Sequence, residues 1–337
     1  MDLLETVERK KIALIGVFAL ISILLIVLFY NEIAYLGEAY EGKYVVNPIL
    51  NLELLAFATF AGFIGAIMGI GGGVIIVPTL STVFNLPIHE AIAVSIVSVV
   101  ATSISGGSAY VDQRITNIRL AMFLETSTTL GALIGALLAL IMPGKYLFII
   151  FSAFALYMGF SQLYSVKGEL RKMSAQGFKQ LAPDFISRQL NLSGNYFDEG
   201  ENVNVEYVVS GSKLGWLASF LAGVGSGMLG IGGGFLKVSA MNILMNVPVK
   251  VAIATSKFMI GVTAATSAVV YYIHGAIRLD VVAPIAVGTA LGATVGTRVM
   301  NKLKVKWLKA AFSILTFYLA YTMLRKGLYL IFGIQLP

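Results

Sequence analysis

Long apolar stretches without a charged residue recur along the chain, and they limit its possible folds more than any other feature. A helix that crosses the hydrocarbon core of a bilayer needs about 20 such residues. Only 12% of the 337 residues are charged, which is about half the share found in soluble domains. The sequence therefore predicts an integral membrane protein with several crossings, and its apolar stretches include Ile12–Asn31, Leu54–Phe84, Ala91–Val111, Tyr146–Val166, Leu214–Leu236 and Val281–Thr297.

The remaining composition excludes several other classes of protein. The net charge of +7 would suit a nucleic-acid partner in a soluble protein. Membrane proteins, however, concentrate Lys and Arg in their cytoplasmic loops, so we expect no nucleic-acid partner. The chain has no cysteine, and its two histidines form no cluster at metal-ligand spacing, so we expect no metal and no other cofactor. The apolar run Ile12–Tyr30 is too long for a signal peptide, and we interpret it as a retained helix.

The sequence contains a long internal repeat with a constant offset of 161 residues. The segment Met68–Pro78 (MGIGGGVIIVP) is echoed by Leu229–Ser239 (LGIGGGFLKVS). From Gly69 to Tyr110, 14 of 42 positions are identical to their counterparts in the second half. This match is too specific for shared apolar composition alone, so the chain consists of two homologous halves.

Each half begins with an apolar stretch of about thirty residues that the sequence GIGGG interrupts. One helix of that length would overshoot a bilayer of about 30 Å, and clustered glycines destabilise a helix interior. We therefore predict a re-entrant hairpin, in which two half-helices meet at the glycines near the middle of the membrane. Irregular backbone at that depth is tolerated where it is buried in protein or lines a cavity.

The distribution of Lys and Arg favours the hairpins. With two hairpins, 17 of these residues face the cytoplasm and five face the outside, whereas two full crossings would give 10 inside and 12 outside. The positive-inside rule thus supports the hairpins and places the N-terminus in the cytoplasm. Three crossings remain in each half, and this odd number gives the halves opposite orientations, as in many secondary transporters.

These inferences combine into one predicted architecture. We expect an all-α polytopic protein of the cell (plasma) membrane, with two inverted repeats that each contain a re-entrant helical hairpin and three transmembrane helices. Its parts are an N-terminal transmembrane helix with an extracytoplasmic loop (1–51), repeat 1 (52–166), a cytoplasmic connector (167–212) and repeat 2 (213–337). The polar connector could also be a small regulatory insert, and Asn202–Val209 alternates like a short strand.

The glycines of the two GIGGG segments are candidate anion-binding residues. A half-helix that starts after them exposes unpaired N–H groups and the positive end of its dipole, and glycine lets an anion reach the backbone. No Lys-Ser or Lys-Thr pair follows these glycines, which excludes a phosphate loop. Close helix packing is the alternative role, and it is the one we predict for Gly131, Gly135 and Gly288–Gly296 from their four-residue spacing. We expect both tips to face one midplane site, formed by Gly71, Gly72, Gly73, Gly232, Gly233 and Gly234.

Three ionisable residues stand within the apolar regions, namely Glu125, Lys237 and Lys257. A buried cation is costly and indicates function, so we expect Lys257 to supply positive charge to the anion site. Structural pairing of Lys257 with a carbonyl or with Glu125 is the alternative. Glu125 is a candidate for proton coupling, or it lies at the membrane interface. We expect Lys237 to snorkel from the end of a half-helix.

The doubled arrangement resembles the TauE/SafE family of sulfite exporters and related anion permeases. In each half a GIGGG segment is followed by an Asn-x-Pro turn and by a helix that opens with Ala-Ile-Ala-x-Ser. The resemblance extends from about Leu52 to the end of the chain, apart from Lys167–Ser212. It implies transport of sulfite, a sulfonate or another small sulfur-containing or organic anion. The Thr-Ser pair of the family is present as Thr255-Ser256, and in the first half it reads Val94-Ser95. The resemblance implies that Ser95, Thr255 and Ser256 contribute hydroxyl groups to the substrate site.

The sequence thus favours a secondary transporter, expected to be an exporter, that works by alternating access around a midplane site. Its partners would be the small anion, the lipid bilayer and a possible coupling proton. An anion channel with a glycine-rich filter and a transporter of a small carboxylate remain alternatives. An enzyme is disfavoured because the apolar regions hold no constellation of nucleophile, base or metal ligands. A receptor or assembly scaffold would show no substrate flux. The oligomeric state stays open.

Overall fold

The computed structural model describes residues 48–68, 71–112, 114–172, 182–198, 203–300 and 305–334. The predicted N-terminal helix Ile12–Tyr30 lies outside these ranges. Helices dominate the described residues, and one short β-hairpin interrupts them. The elements are α1 (Pro48–Met68), α2 (Gly73–Thr82), α3 (Ile88–Asp112), α4 (Ile118–Ile141), α5 (Gly144–Lys172), α6 (Phe185–Gln189), β1 (Gly194–Asp198), β2 (Val203–Tyr207), α7 (Ser212–Leu229), α8 (Gly234–Ser239) with a π-helical turn (Ala240–Leu244), α9 (Val249–Ile273), α10 (Leu279–Met300) and α11 (Val305–Phe332).

Six of the described helices are long and apolar enough to cross a membrane, so the all-α multi-pass prediction is confirmed at this level. This set differs from the predicted one at two helices. One is α1, which we expected to be half of a hairpin but which has 21 residues, or about 31 Å. The other is α11, which has 28 residues and is not among the six spans. The six spans are Leu50–Ile67, Ile88–Gly107, Ile118–Ile141, Gly144–Ser161, Val249–Ile273 and Leu279–Thr297.

The chain turns back on itself at both glycine segments. Gly72 and Gly233 have positive φ angles of 78° and 63°, which glycine adopts without steric cost. A Cβ on Gly72 would lie 3.3 Å from the carbonyl oxygen of Ala61, eleven residues earlier, and a Cβ on Gly233 would lie 2.9 Å from that of Ala222. We call the helix before each turn its first arm (α1 and α7) and the helix after it its second arm (α2 and α8). The glycines therefore allow each second arm to begin alongside the first arm.

The second arm of each turn returns toward the start of the first. After α2, the ring of Phe84 lies 6.1 Å from the ring of Phe57 in α1. After α8, the backbone N–H of Ser210 bonds the carbonyl oxygen of Met245, at the beginning of α7. The arms are unequal, because α1 and α7 have 21 and 18 residues whereas α2 has 10 and α8 has six before its π-helical turn. In each turn the first arm is therefore longer than the second.

Helices of one half pack against helices of the other half through small residues. On α10, Gly288, Gly292 and Gly296 lie against the carbonyls of Leu55, Thr59 and Phe63 of α1 in that order, so the two helices run in the same direction. On α4, Gly131 and Gly135 lie against Phe220 and Val224 of α7, again in parallel. The packing role predicted for these glycines is confirmed. The counterpart helices α3 and α9 also pack together, as do α5 and α11.

The connector contains the predicted strand. Residues Val203–Tyr207 form β2, which pairs antiparallel with β1 in a register that joins Gly194 to Tyr207. The hairpin and the residues before it pack against the beginnings of α4 and α9, where buried Leu192 and Tyr207 join an apolar cluster with Leu120 and Val251. The connector is thus fixed to both halves of the membrane domain.

Two polar side chains tie the connector to helix starts. Asn117 caps α4 by accepting a hydrogen bond from the N–H of Leu120, and its amide group donates to the hydroxyl of Tyr207 at 2.8 Å. Asp184 accepts bonds from the N–H groups of Ser187 and Ser212 and from the Ser212 hydroxyl, at the starts of α6 and α7. Partial burial opposes ionisation of Asp184, but these bonds outweigh it and hold the pKa of its carboxyl below 3.8.

Candidate functional site

A small cavity lies between the first glycine turn, α3 and α9. Its free volume is about 20 Å³, which slightly exceeds the roughly 10–15 Å³ that a single water occupies by this measure. The cavity joins residues that are far apart in the sequence and belong to both halves of the chain. Its lining residues are Gly65, Ala66, Gly71, Thr102, Ser103, Gly106, Lys257 and Ile260.

Lys257 supplies the positive charge of this cavity. Only 6% of the residue is exposed, and its Nζ donates a hydrogen bond to the carbonyl oxygen of Ala66 at 3.3 Å. The hydroxyl of Ser103 donates to the backbone carbonyl of Lys257 at 2.6 Å, which fixes α9 against α3 at this level. A Cβ on Gly106 would lie 3.9 Å from Nζ, so glycine leaves space around the ammonium group.

Hydroxyl groups and backbone complete the polar lining. The Thr102 hydroxyl lies 3.3 Å from the carbonyl oxygen of Gly71 and 3.0 Å from that of Val99. It has one proton, so it can satisfy one of these carbonyls or turn toward a ligand. No carboxylate belongs to the described lining. An ammonium group, two hydroxyls and glycine backbone line the cavity, and the ammonium group together with the Thr102 hydroxyl suits a small anion.

The two glycine turns meet, but they do not contribute equally to the cavity. Gly71 is half-buried and lines it, whereas Gly72 and Gly73 are buried behind it. A Cβ on Gly73 would lie 2.3 Å from the carbonyl oxygen of Gly230, so the tips are in direct contact. The second-turn candidates are all buried and lie outside the described lining, namely Gly232, Gly233 and Gly234.

The hydroxyl residues implied by the family resemblance lie near the tips but outside the described lining. Ser95 donates to the carbonyl oxygen of Gly230 at 2.7 Å, and its counterpart Ser256 donates to that of Gly234 at 3.2 Å. Thr255 accepts a hydrogen bond from the N–H of Asn117 at 3.1 Å. These side chains hold the second turn, and the loop before α4 at Asn117, in place in this conformation.

Glu125 of the first half and Lys237 of the second half form a second polar centre, outside the lining of the cavity. Glu125 is 7% exposed and Lys237 is fully buried. The Thr263 hydroxyl lies 2.7 Å from Glu125 Oε1 and 2.6 Å from Lys237 Nζ, and Nζ lies 4.0 Å from Glu125 Oε2. The expected snorkelling of Lys237 is therefore wrong, because the side chain points inward to a carboxylate. Glu125 pairs with Lys237 and not with Lys257, and its side chain is buried within the protein.

Sequence reasoning predicted only Gly71 and Lys257 among the eight described lining residues, and it missed all three residues that α3 contributes, Thr102, Ser103 and Gly106. A signal for them exists in the run Ala101–Ser108 (ATSISGGS), which concentrates hydroxyl and small residues within an apolar helix. Thr102 is also one of the positions conserved between the two halves, where its counterpart is Thr263. A search for polar residues on the helix after the first glycine segment would have found them.

Comparison with known proteins identifies similar chains of the same extent. The chain is 25% identical over 283 residues to the probable membrane transporter protein YunE of Bacillus subtilis, a match that covers 82% of this chain and 98% of YunE. It is 24% identical over 265 residues to the probable membrane transporter protein YdhB of the same organism, covering 78% of this chain and 94% of YdhB.

A third relative is longer. The chain is 27% identical over 304 residues to the probable membrane transporter protein MamO of Paramagnetospirillum magneticum, covering 83% of this chain but only 45% of MamO. No solved structure matches the chain significantly.

The family comparison agrees with the motifs and with the helices. The profile of the family described as Sulfite exporter TauE/SafE matches residues 54–323, which include both glycine turns, the cavity and the Glu125–Lys237 pair. The relatives are named as membrane transporters and not as enzymes. The chain is therefore a multi-pass membrane transporter that belongs to the sulfite exporter TauE/SafE family.

Proposed function

We propose that the protein is a secondary transporter, acting as an exporter, of a small anion such as sulfite, an organosulfonate or another sulfur-containing anion. The observation that carries this proposal is the cavity in which Lys257 lies among hydroxyl groups and glycine backbone. The family description supports the substrate class and the direction of transport. The protein would reside in the plasma membrane with its N-terminus in the cytoplasm.

The chemistry of the cavity matches what an anion needs inside a membrane. An anion that leaves water loses several kcal/mol of hydration, which fixed donors must replace. Lys257 supplies charge, Thr102 and Ser103 supply hydroxyls, and Gly71 exposes backbone. The glycine tips and the hydroxyls of Ser95, Thr255 and Ser256 would hold or join this site as it rearranges.

The size of the cavity supports an alternating-access mechanism. A volume of about 20 Å³ admits water but no sulfonate. The elements around it must therefore separate before an anion can enter. The lining comes from both halves, so a movement of one half against the other would open the site to one side at a time.

The helix pairing supports inverted repeats. If each glycine turn reverses the chain, α1 and α4 run in opposite directions within the first half. Because α10 is the counterpart of α4 and runs parallel to α1, the second half then has the opposite orientation. The proposed topology has two such repeats and one additional N-terminal crossing.

The test is transport by purified protein in liposomes. We expect saturable uptake and counterflow of sulfite or methanesulfonate, with weaker transport of acetate and sulfate. Lys257→Met should lose most anion binding, because it keeps apolar bulk but removes the charge, and Lys257→Arg should retain part of it. Lys250→Met is the matched control, since it removes the same charge from the exposed first turn of α9.

Two results would contradict this proposal. Unaltered anion affinity in Lys257→Met would make Lys257 structural. Flux that does not saturate, with single-channel currents and no counterflow, would favour the alternative of an anion channel with a glycine-rich filter. Faster transport of acetate than of the sulfur-containing anions would favour a carboxylate transporter.

A further inference from the structure

The Glu125–Thr263–Lys237 group is a buried ionic centre that the anion cavity does not use. It connects α4, α9 and α8, and none of its three residues lines the cavity. Ionisable residues inside a membrane protein are costly and mark functional sites. The internal repeat shows that the fold does not require this group, because the counterparts of Glu125 and Lys237 are Ala286 and Ile76.

The carboxylate of Glu125 is incompletely satisfied. Its Oε1 accepts hydrogen bonds from Thr263 at 2.7 Å and from Thr129 at 3.2 Å. Its Oε2 is buried and has no hydrogen-bond partner among the described residues, although Lys237 Nζ lies 4.0 Å away. An acceptor in this state carries a desolvation cost that a proton would remove. The oxygen is thus suited to gain and lose a proton.

Few other charges act on Glu125 from the neighbouring elements. Its own helix carries Arg119 in the first turn, and α7 carries Lys213 in its first turn. On α9, Lys250 lies in the first turn and Lys257 lies at the anion cavity, with Tyr271 at the far end. In the described part of the chain, Lys237 is the cation that pairs with Glu125.

We propose that Glu125, bridged by Thr263 to Lys237, is the proton-binding site that couples anion transport to protons, with one proton and one anion moving in the same direction. This inference rests on the proposed anion site at Lys257. The proton binds Glu125 from water on one side of the membrane and leaves to water on the other side, together with the anion.

The direction of coupling follows from charge. Protonation of Glu125 leaves Lys237 without its counter-charge, and the transported anion then restores the balance in the same low-dielectric region. Thr263 and Lys257 are six residues apart on α9, or about 9 Å along the axis, and at an effective dielectric of about 20 one charge at that distance changes an affinity on the order of tenfold. By reciprocity, a bound anion favours the protonated carboxyl equally.

The test compares wild type with Glu125→Gln, which imitates the protonated side chain. The probe is methanesulfonate, whose charge does not change with pH. We expect acidification to tighten its binding about tenfold in wild type, whereas Glu125→Gln should bind tightly at every pH. In liposomes that contain a pH-sensitive dye, Glu125→Gln should retain methanesulfonate counterflow but lose the accompanying proton movement. Glu206→Gln, on the exposed face of β2, is the matched control and should behave as wild type.

A second measurement does not depend on transport. Infrared difference spectra of wild type between acidic and neutral pH should show the C=O band of a buried carboxylic acid, and Glu125→Gln should lack it. If Glu125→Gln destabilises the protein, the double variant Glu125→Gln with Lys237→Met removes both charges and should also lose the pH dependence. If this band titrates with pH but the protein moves no anion, the proposed anion site is contradicted and the proposed proton site at Glu125 stands. Absence of the band, unchanged proton movement in Glu125→Gln, or loss of counterflow in a folded variant would overturn the proposal.

Discussion

The two glycine turns have the same backbone but different surroundings. Both place glycine in the left-handed region, at Gly72 and Gly233. The counterpart serines Ser95 and Ser256 both donate hydrogen bonds to the second segment, at the carbonyls of Gly230 and Gly234. The first turn reaches the cavity through Gly71, whereas the second turn is fully buried. Thr102 therefore lines the cavity, while its counterpart Thr263 bridges Glu125 and Lys237.

This difference shows how a duplicated chain can separate two roles. The conserved positions are those that form the turns and pack the helices. The charged positions are not conserved between the halves, since the counterpart of Lys257 is Ile96 and that of Lys237 is Ile76. Positions shared by the two halves thus form the scaffold, and positions that differ between the halves carry the charged side chains. The following experiments test this distinction.

The largest difference between the halves should be their orientation. The turns after α3 and α9 are counterparts, and inverted repeats would place them on opposite sides of the membrane. We expect Arg114→Cys to react with an impermeant thiol reagent only after cells are permeabilised, and His274→Cys to react in intact cells. The absence of other cysteines gives a clean background. Labelling of both residues from the same side would exclude inverted repeats.

The glycine backbone should be equally necessary in both halves. Valine at Gly72 or Gly233 would incur about 1–2 kcal/mol of strain in the left-handed region, and its Cβ would crowd Ala61 or Ala222. We expect both variants to lose at least tenfold in transport per inserted molecule, measured in liposomes. Gly225→Ala is the control, because among the described residues no atom outside its own helix lies nearer than 4.0 Å to the added Cβ. Normal kinetics in either valine variant would remove that turn from the mechanism.

The two counterpart threonines should differ in what they affect. Thr102→Val removes a hydroxyl from the cavity and should weaken methanesulfonate binding by about tenfold or more, because hydrogen bonds to a charged group contribute about 1.5–3 kcal/mol. Thr263→Val leaves buried groups of Glu125 and Lys237 unsatisfied, so it should lower the melting temperature and abolish the pH dependence of binding. Calorimetry and binding assays on both proteins separate these effects. Identical phenotypes would mean that the halves have not diverged.

The smallest expected effect concerns the connector, which lies between the two repeats. Asp184→Asn keeps a capping side chain at the starts of α6 and α7 but removes its charge, so we expect a loss of about 0.5 kcal/mol or less. The pKa of Asp184 lies below 3.8 in the folded protein. The stability that the Asp184 charge contributes is therefore present above pH 3.8 and is lost as the pH falls through the pKa of this group in the folded protein. Melting curves should differ at neutral pH and converge in acid, and a difference that grows in acid would contradict this assignment.

The sequence by itself determined the class of the protein and the plan of its duplication. Apolar length requires a membrane, the offset of 161 residues defines the halves, and clustered glycines predict the turns that the structure contains. The spacing of Gly288, Gly292 and Gly296 likewise predicted close helix packing. These features depend on local chemistry or on periodicity, and both can be read along one chain.

Only the tertiary structure decided which side chains meet. Lys257 was a candidate from its position alone, but its neighbours Ala66, Thr102 and Ser103 lie about 150 to 190 residues away in the other half. Lys237 was expected at the membrane surface, yet it faces Glu125 because α8 turns inward against α4 and α9. Alignment of the halves identifies equivalent positions within each repeat and contains no information about contacts between them. Those contacts follow from how α4 packs on α7 and α10 on α1, and that packing arises only when both halves fold together.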